Sequence, residues 1–542
     1  MTMEPVLHHI DRDAATVGRK GHYLITALSS VSGVMMGLVW YGDLPGLLLL
    51  VALVPQIILA ELTPYVSGGR FGNRTLFIRL LPGMLLFNTI SLFWLRISGW
   101  PLMVTAIAGN SFIMAFTFWV AWLLKHKMRS ARVLIPLTVL WTAMEYLTGE
   151  LHILSPWLNL GNGMAAEISL IQWYEYTGIH GGTIWILLCN YLIAETILLF
   201  VKAGRGNLPG QLRAISYRLV TLLLLIITPP AISIMIDRDD SPEGIASADI
   251  LIVQPNIDPW EEKFDIPFYE QMRLIASMAG NHSDSSTAWV ITPETAIAEL
   301  IPLSQLDDRN HFKEIYELLD LFPDLQFIGG ATTVSDKPLY HNSAILFSRD
   351  SAHQVYHKSK LVPGIERRFD GISSFLQRLF PDLGGLSPGY TGQKGVTNFT
   401  DSISGVAVAP VICFESAFGG HVARFVRDRA GFIAVITNDG WWKGTRGYQQ
   451  HLRYSQLRAI ETRRMVARAS NTGISAIIDR DGTILTYLPW MERGVISGTV
   501  TIYDDITLFV RYGNIVGRMA LAVSVFLIAI YLIAIPLRDK IG

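Results

Sequence analysis

Residues 403–416 read ISGVAVAPVICFES, and this stretch decides the fold of the polar half of the chain. A run of small and β-branched apolar residues of this length predicts a buried strand. The strand ends near Cys413, and Phe414 and Glu415 follow. Loops beyond strand ends are where reactive groups are commonly assembled, so Cys413 is a candidate nucleophile. The ordinary alternative is a cysteine that acts as a small buried hydrophobe.

Similar strand patterns alternate with helical patterns across residues 247–502. The strand-like runs are ADILIVQPN at 248–256, WVITPE at 289–294, LQFIGGATT at 325–333, NSAILFS at 342–348, FIAVITNDGWW at 432–442, SAIID at 475–479 and TILTYL at 483–488. FYEQMRLIASMAG at 268–280 and residues 447–469 have helical spacing. This alternation predicts an α/β domain, in which a sheet is layered with helices.

The composition indicates a chain that is partly in a membrane and partly in water. Its 542 residues are half hydrophobic and 16% charged, and the net charge is −1. This charge argues against nucleic-acid binding. One of the two cysteines, Cys189, lies in an apolar run and the other in the polar half. We therefore expect no disulfide framework, no metal site and no cofactor.

Eight apolar runs approach the roughly 20 residues that a membrane-spanning helix needs. They are Tyr23–Trp40, Pro45–Leu62, Leu76–Leu95, Leu102–Leu124, Val133–Leu147, Thr183–Val201, Leu219–Ile236 and Met519–Leu537. The predicted organisation is a cytoplasmic tail at 1–22, seven membrane helices at 23–240, a catalytic domain at 247–502, a C-terminal membrane helix at 515–537 and a tail at 538–542.

The short loops differ in charge, and this difference predicts the orientation. Loops on the side of the N-terminus carry many Lys and Arg residues, whereas the opposite loops carry only Arg96. By the positive-inside rule the N-terminus is cytoplasmic. Seven crossings then put residues 240–513 outside the cytoplasm.

Four charged residues lie in or near the apolar runs, namely Glu61, Arg79, Glu145 and Glu195. They could line a path for a polar substrate group. The interpretation we favour is that each side chain extends from a helix end towards water.

Glu294 and Lys358 could complete a catalytic set with Cys413. Glu294 could cap a helix over residues 295–300, or it could be a partly buried base with a raised pKa. Lys358 lies on the same strand face as Lys360, so the residues alone leave the choice open. A thiol, a carboxylate and an ammonium are the groups that acyl transfer through a thioester requires.

These segments resemble the nitrilase, or carbon–nitrogen hydrolase, superfamily, whose catalytic set is Glu, Lys and Cys. The run YHKSKLVP at 356–363 fits the lysine motif of that superfamily and selects Lys358. The spans and the domain together resemble the apolipoprotein N-acyltransferase family over essentially the full chain. SPWLNLGN at 155–162, VQPNIDPWEEKF at 253–264 and the stretch 437–476 support this resemblance. It implies an αββα sandwich for the catalytic domain.

The chain departs from the family pattern at three positions. Gly364-Ile365-Glu366 replaces a common Phe-Gly-Glu, Phe414 stands where tyrosine is frequent, and Thr292 stands where tryptophan often precedes the Pro-Glu pair. Glu366 and Glu415 remain as candidate supporting carboxylates, and the backbone N–H of Phe414 remains as a candidate oxyanion donor.

The resemblance implies a two-step reaction without a cofactor. Cys413 would take an acyl chain from a membrane phospholipid, with Glu294 as base and Lys358 as oxyanion stabiliser. The acceptor would be the N-terminal amine of a diacylglyceryl-prolipoprotein after signal-peptide removal. The implied location is the bacterial inner membrane, with the catalytic domain on the periplasmic side and the protein as a monomer.

Residues 364–395 are a candidate lid. Phe375, Leu376, Leu379 and Phe380 have helical spacing that suits a bilayer surface, although they could equally pack on the core of the domain. With Trp441, Phe375 and Leu379 are candidates for substrate binding. Two other functions stay open: a membrane-anchored amidase that hydrolyses a small substrate, and a transporter or scaffold with an inactive domain.

Overall fold

The computed structural model describes most of the chain. The described residues are 19–42, 44–66, 72–127, 134–151, 156–203, 208–238, 243–337, 339–350, 352–367 and 389–538. Phe375, Leu376, Leu379 and Phe380 lie outside the described residues, so the candidate lid is described only at its two ends. The predicted cytoplasmic tails lie almost wholly outside them too.

Fifteen α-helices lie within the described residues. They are α1 Arg19–Tyr41, α2 Leu49–Ala52, α3 Val54–Val66, α4 Gly72–Leu92, α5 Trp100–Lys127, α6 Leu134–Leu151, α7 Tyr174–Thr177, α8 Ile179–Ala203, α9 Leu208–Arg238, α10 Phe268–Gly280, α11 Lys313–Leu321, α12 Gly419–Arg427, α13 Gly447–Thr462, α14 Leu508–Tyr512 and α15 Ile515–Arg538.

Each of the eight predicted spans overlaps one or more of these helices. Six stretches of the described chain are long and apolar enough to cross a membrane, namely Gly46–Thr63, Arg74–Ser98, Trp100–Lys125, Ile179–Val201, Gly210–Ile236 and Ile515–Ile533. The predicted total of eight spans is reached only if α1 and α6 are added to these six stretches. The apolar stretch of α1 is shorter than the other six. The prediction of a multi-pass helical membrane domain is confirmed.

Glycines allow α1 and α4 to approach each other closely. A Cβ atom on Gly33 would lie 2.1 Å from the Gly83 carbonyl oxygen, and one on Gly83 would lie 2.3 Å from the Ser29 carbonyl oxygen. The Ser29 hydroxyl accepts a hydrogen bond from the Gly83 N–H at 3.0 Å. Small residues at such crossings are typical of helix packing in membranes.

Two charged residues of the membrane domain point inward, against our favoured interpretation. Glu145 is 1% exposed and Arg79 is 5% exposed. The Glu145 carboxylate accepts hydrogen bonds from the Thr183 hydroxyl at 2.6 Å and from the Leu160 N–H at 2.8 Å. Glu61 instead pairs with Lys125. Since these groups find partners on neighbouring segments, they need not extend to water.

Thirteen strands form the α/β domain. They are β1 Ala246–Gln254, β2 Thr287–Ile291, β3 Ile297–Pro302, β4 Gln326–Val334, β5 Tyr340–Phe347, β6 Gln354–His357, β7 Phe399–Thr400, β8 Ala407–Ile412, β9 Phe432–Thr437, β10 Val466–Ser470, β11 Ser475–Ile478, β12 Ile484–Leu488 and β13 Gly494–Ile502. One sheet has the order β13-β1-β2-β4-β5-β6, with β3 beside β4, and the other has the order β12-β11-β10-β9-β8-β7.

The two sheets pack face to face between layers of helices. Alternate residues of β1 point to opposite sides: Ile250 and Ile252 pack against the second sheet, and Leu251 and Val253 pack beneath α10 and α11. Side chains of α12 and α13 cover the outer face of the second sheet. The period of two along a strand produces this arrangement. The predicted αββα sandwich is confirmed.

One local prediction in this domain is wrong, and one open alternative is excluded. Residues 297–302 form strand β3, so the helix over residues 295–300 that Glu294 could have capped does not form. The helix predicted over 447–469 ends at Thr462, where Arg463 adopts a left-handed φ of 51° and turns the chain into β10.

Helix α13 seats the sandwich on the membrane domain. The Trp157 indole donates a hydrogen bond to Gln450 at 2.6 Å, and the Gln450 amide donates to the Trp40 carbonyl oxygen at 2.7 Å. The Tyr454 hydroxyl also donates to the Trp157 carbonyl oxygen at 2.5 Å. These buried contacts fix the loop that begins at residue 156 directly against the α/β domain.

Candidate active site

Three strands end at one place and bring three predicted residues together. Glu294 follows β2, Lys358 follows β6, and Cys413 follows β8. The Lys358 ammonium donates a hydrogen bond to Glu294 Oε1 at 2.9 Å. Cys413 and Glu294 line the same cavity, and the charge of Glu294 acts on the thiol. Both sheets therefore contribute to a single cluster.

Cys413 has a strained backbone, with a φ of 50°. Left-handed geometry is uncommon for a residue with a Cβ and often marks a functional turn. The strand stops at Ile412, and a 3₁₀ turn runs from Cys413 to Ala417. Glu415 holds this turn, because its Oε2 accepts a hydrogen bond from the Ile412 N–H at 2.9 Å.

Glu294 accepts hydrogen bonds on both carboxylate oxygens. Besides Lys358, Oε1 accepts one from Asn342 at 2.8 Å, and Oε2 accepts one from the Asn438 N–H at 3.2 Å. Burial favours a raised pKa for Glu294, but the Lys358 charge and these side-chain hydrogen bonds outweigh it and lower the pKa. The raised pKa that we expected is therefore wrong, and the carboxylate is anionic at neutral pH.

Lys358 lies between two carboxylates and is 1% exposed. Its Nζ donates to Glu366 Oε1 at 2.9 Å as well as to Glu294. Burial favours a lower pKa for Lys358, but the negative charges of Glu294 and Glu366 raise it. The competing Lys360 has its Nζ 5.2 Å from the centre of the Phe418 ring and lines a different pocket.

The Cys413 thiol keeps its proton in this resting arrangement. Burial and the negative charge of Glu294 raise its pKa, and the positive charge of Lys358 opposes them. Glu294, an anionic carboxylate that lines the same cavity, is the candidate acceptor for the thiol proton. The arrangement suits nucleophilic attack coupled to proton transfer.

The two supporting carboxylates occupy different positions. Glu366 touches Lys358 and Asn342, and its Oε2 accepts a hydrogen bond from the Val362 N–H at 2.8 Å. Glu415 is fully buried and accepts hydrogen bonds from the Tyr356 hydroxyl and the Ser359 N–H, both at 2.7 Å. Glu415 therefore joins the turn of Cys413 to the end of β6, whereas Glu366 faces the cluster.

A cavity of about 260 Å³ opens onto the cluster. Glu294, Lys358, Glu366 and Cys413 line one wall, together with Phe414 and Trp441. The opposite wall comes from the membrane domain and includes Leu92, Leu95, Leu102, Thr105, Ala106 and Asn110. The cavity thus joins the reactive groups to apolar side chains of α5 and of the segment that precedes it.

Sequence reasoning missed two polar residues of this cavity, Lys263 and Asn342. Lys263 is 4% exposed and donates a hydrogen bond to the Thr295 hydroxyl. Burial lowers its pKa to about 8, although the charge of Glu294 opposes the shift. In the sequence it follows two glutamates and looks like an ordinary solvated lysine. Asn342 opens an apolar run in the sequence and lies within strand β5 in the structure.

A buried polar network behind Cys413 was also missed. His451 Nε2 lies 3.0 Å from the Cys413 carbonyl oxygen, and Nδ1 lies 2.8 Å from Asp439 Oδ1. Arg468 donates to Asp439 Oδ2 at 2.5 Å. These residues stand far apart in the sequence, so spacing gives no sign of the network. It fixes the carbonyl of the strained residue.

The described residues contain no cluster of metal-ligating side chains. No group of three or more His, Cys, Asp or Glu side chains within those residues could hold a metal ion.

Comparisons with known proteins agree with both halves of the structure. A model of the apolipoprotein N-acyltransferase N-terminal domain matches residues 32–192, and a carbon–nitrogen hydrolase model matches residues 271–504. An apolipoprotein N-acyltransferase of Chlorobaculum tepidum is 27% identical over 88% of this chain and 90% of its own length. One of Geobacter metallireducens is 27% identical over 75% of each chain.

A solved structure, that of Saccharomyces cerevisiae Nit3, has 13% identity and a TM-score of 0.37 over 47% of this chain and 90% of its own. The family assignment rests on the sequence matches. The chain belongs to the apolipoprotein N-acyltransferase family of enzymes, within the nitrilase superfamily.

Proposed function

We propose that this protein transfers a fatty acyl chain from a membrane phospholipid to the N-terminal amine of the diacylglyceryl-cysteine of apolipoproteins. The reaction passes through a thioester on Cys413. The observation that carries the proposal is the cavity, because one wall holds the reactive groups and the other is made by membrane helices. A small-substrate amidase would have no need of that second wall.

In the first step, Glu294 accepts the proton of Cys413 while the sulfur attacks the acyl ester carbonyl carbon. The negative charge that develops on the carbonyl oxygen is stabilised by Lys358 and by the Phe414 N–H. Loss of one such donor raises the barrier by roughly 2.7–4 kcal/mol. The C–O bond breaks, Glu294 returns the proton to the leaving oxygen, and a lysophospholipid departs.

In the second step, the acceptor amine attacks the thioester carbonyl carbon. Glu294 takes a proton from the nitrogen and delivers it to the departing sulfur, so an amide and the free thiol result. The lowered pKa of Glu294 supports this role, since the carboxylate is ready to accept a proton at neutral pH. Glu366 stabilises the positive charge of Lys358, and Glu415 stabilises the turn at Cys413.

The setting of the reaction belongs to the same proposal. The chain is a monomer in the bacterial inner membrane, with residues 23–240 and 515–537 in the bilayer. The catalytic domain, residues 247–502, faces the periplasm. Trp441 lines the cavity and is a substrate contact.

The proposal is tested by an acyl-transfer assay with the purified full chain. The substrates are a phospholipid with an isotopically labelled acyl chain and a peptide that begins with diacylglyceryl-cysteine. We expect label on the peptide amine with the natural sequence and none with Cys413→Ala. Label released only as free fatty acid would favour a hydrolase, and unchanged transfer by Cys413→Ala would refute the mechanism.

A further inference from the structure

Three elements meet at a junction outside the catalytic cavity: the end of α6, the start of α12 and the start of α15. Glycines bring them close together. A Cβ atom on Gly517 would lie 2.8 Å from the Tyr146 Cβ, and one on Gly420 would lie 2.4 Å from Asn514 Nδ2. The junction therefore holds side chains from all three elements in fixed relative positions.

Three exposed arginines surround this junction and form an arginine cluster, Arg424, Arg427 and Arg518. Arg424 and Arg427 lie one turn apart on α12, and Arg518 lies in the first turn of α15. Burial, followed by the positive charges of Arg424 and Arg518, lowers the pKa of Arg427. Arg427 and Arg518 donate to carbonyl oxygens two residues apart, at Val510 and Tyr512, so the arginines lie close together.

Glu150 lines the pocket beside Arg424, but the donors of Arg427 and Arg518 reach backbone carbonyl oxygens. Arg427 Nε donates to the Val510 carbonyl oxygen at 2.8 Å, and Arg518 donates to the Tyr512 carbonyl oxygen. Within the described ranges, none of the three guanidinium groups forms an ion pair with a carboxylate. These carbonyl oxygens accept hydrogen bonds from the guanidinium groups but leave their positive charge uncompensated. An anion would therefore bind favourably at the arginine cluster.

A small polar pocket of about 30 Å³ lies at the same junction. Glu150, His180, Lys360, Arg424 and Asn514 help to line it. His180 is 3% exposed, yet neither ring nitrogen has a hydrogen-bond partner among the residues described. Since buried polar groups are normally satisfied, this pocket has room and need for about two water molecules or for polar atoms of a ligand.

A membrane-spanning α15 would place the arginine cluster at the level of the membrane surface. Residues 515–533 of α15 are long and apolar enough to span a bilayer, and Arg518 is in their first turn. Tyr512 and Met519 beside it are 51% and 61% exposed. In the predicted orientation this end faces away from the cytoplasm.

We propose that the arginine cluster binds the phosphate of an anionic glycerophospholipid in the leaflet that faces the α/β domain. Guanidinium groups match phosphate oxygens in charge and in geometry. A zwitterionic head group carries its own cation and compensates the cluster less. The bound lipid lies outside the catalytic cavity and anchors the junction of α6, α12 and α15. The site does not depend on the proposed acyl transfer.

Native mass spectrometry of the full chain in mild detergent tests the site. The protein is mixed with phosphatidylglycerol or phosphatidylcholine at equal concentration, and retained lipid is counted. We expect preferential retention of phosphatidylglycerol, reduced about tenfold or more in the Arg424→Gln/Arg518→Gln variant because two charge-assisted contacts are lost. Arg273→Gln, at an exposed position on α10, is the matched control and should retain lipid like the natural sequence.

Two further arms keep the test decisive. Arg518→Gln alone leaves α12 unchanged, and its thermal unfolding midpoint shows whether the fold survives; it should still retain less phosphatidylglycerol. Inorganic phosphate in excess, at constant ionic strength, should not displace the lipid. Unchanged retention by the double variant, equal retention of both lipids, or complete displacement by inorganic phosphate would overturn the proposal.

Discussion

At the residue scale, Cys413 and Glu294 have pKa shifts in opposite directions, and these shifts define the resting state. The pKa of the thiol is raised mainly by burial, and the pKa of the carboxylate is lowered, against burial, mainly by Lys358. The sulfur therefore keeps its proton until a substrate carbonyl is in place. A protonated thiol reacts slowly with oxidants, which suits a domain proposed to face the periplasm.

Gly330 packs against the backbone on either side of Glu294 and so helps to position that residue. A Cβ atom at residue 330 would lie 2.6 Å from both the Pro293 carbonyl oxygen and the Thr295 nitrogen. Gly330→Ala should therefore displace Glu294 and lower kcat by about 100-fold, since a shift of about 1 Å can cost that much. Gly444→Ala, where no atom lies within 4 Å, is the control. Equal rates for the two variants would show that Glu294 needs no such placement.

The hydrogen bond from Asn342 to Glu294 gives a prediction on pH. A lowered pKa means that the carboxylate stays anionic below the ordinary glutamate value of about 4.3 and loses its charge only as the pH falls through the folded pKa. Asn342→Ala removes a donor, so the pKa of Glu294 should rise. The acid limb of the kcat/KM profile should then move to higher pH.

The profile is measured by acyl transfer across an acid series, with Asn398→Ala as the control. Asn398 donates to the Phe425 and Asp428 carbonyl oxygens and to no catalytic group. An acid limb that stays in place in Asn342→Ala would contradict the assignment of Glu294 as the titrating base.

The residues of the cluster could be predicted to different degrees. Cys413 and Glu294 end apolar runs, and strand ends can be read from a sequence. Lys358 was separated from Lys360 only by a family motif. Lys263 and Asn342 were missed because their burial depends on tertiary packing, which periodicity does not report. The same limitation explains the wrong direction expected for the pKa of Glu294, which depends on two partners across the sheet.

At the element scale, α13 supports the strained turn at the end of β8. His451 contacts the Cys413 carbonyl oxygen, and Asp439 and Arg468 hold the histidine ring. A left-handed φ at a residue with a Cβ costs about 1–3 kcal/mol and needs such support. We infer that this helix stabilises the turn as well as the contact with the membrane domain.

His451→Ala should slow the acylation of Cys413 by about 100-fold with little change in KM, because the sulfur moves while the cavity remains. The burst phase with a soluble ester measures acylation, and a thermal scan measures folding. His282→Ala, at an exposed position, is the control. An unchanged burst rate in His451→Ala would show that the turn at Cys413 does not need the contact with His451.

Element types were easier to predict than element ends. FYEQMRLIASMAG became α10 with the predicted bounds, because its apolar spacing fits one face of a helix. The helix predicted over 447–469 was too long. It ends because Arg463 adopts a left-handed backbone conformation, which a sequence usually signals by a glycine, and residue 463 is an arginine. The alternative of a helix capped by Glu294 is excluded, because residues 297–302 pair with the part of β4 beyond its contact with β2.

At the scale of the whole molecule, two architectures share one cavity. The sandwich provides reactive groups at its strand ends, and the membrane domain provides an apolar wall. The membrane helices could be predicted from the length of the apolar runs and the α/β class from the period of apolar residues, whereas the αββα sandwich was implied by the family resemblance; both architectures are confirmed. The shared cavity could not be predicted, because it depends on how α13 and the segment from residue 156 dock.

Ala106 lies on the membrane wall of the cavity, and its substitution tests what that wall holds. Ala106→Phe should lower the rate with long-chain phospholipids at least tenfold, because the added ring fills space for the chain. The rate with a short-chain soluble ester should change little. Ala108→Phe, at an exposed position of the same helix, is the control. Equal losses for both substrates would argue against an acyl path along α5.

The acyl group on Cys413 can be measured directly. The purified chain is incubated with phospholipid in the absence of acceptor, digested, and analysed by mass spectrometry for the peptide that contains residue 413. We predict an added fatty acyl mass that hydroxylamine removes and that is absent in Cys413→Ser treated alike. An unmodified Cys413 peptide from a preparation that transfers acyl chains to lipoprotein would contradict the thioester mechanism.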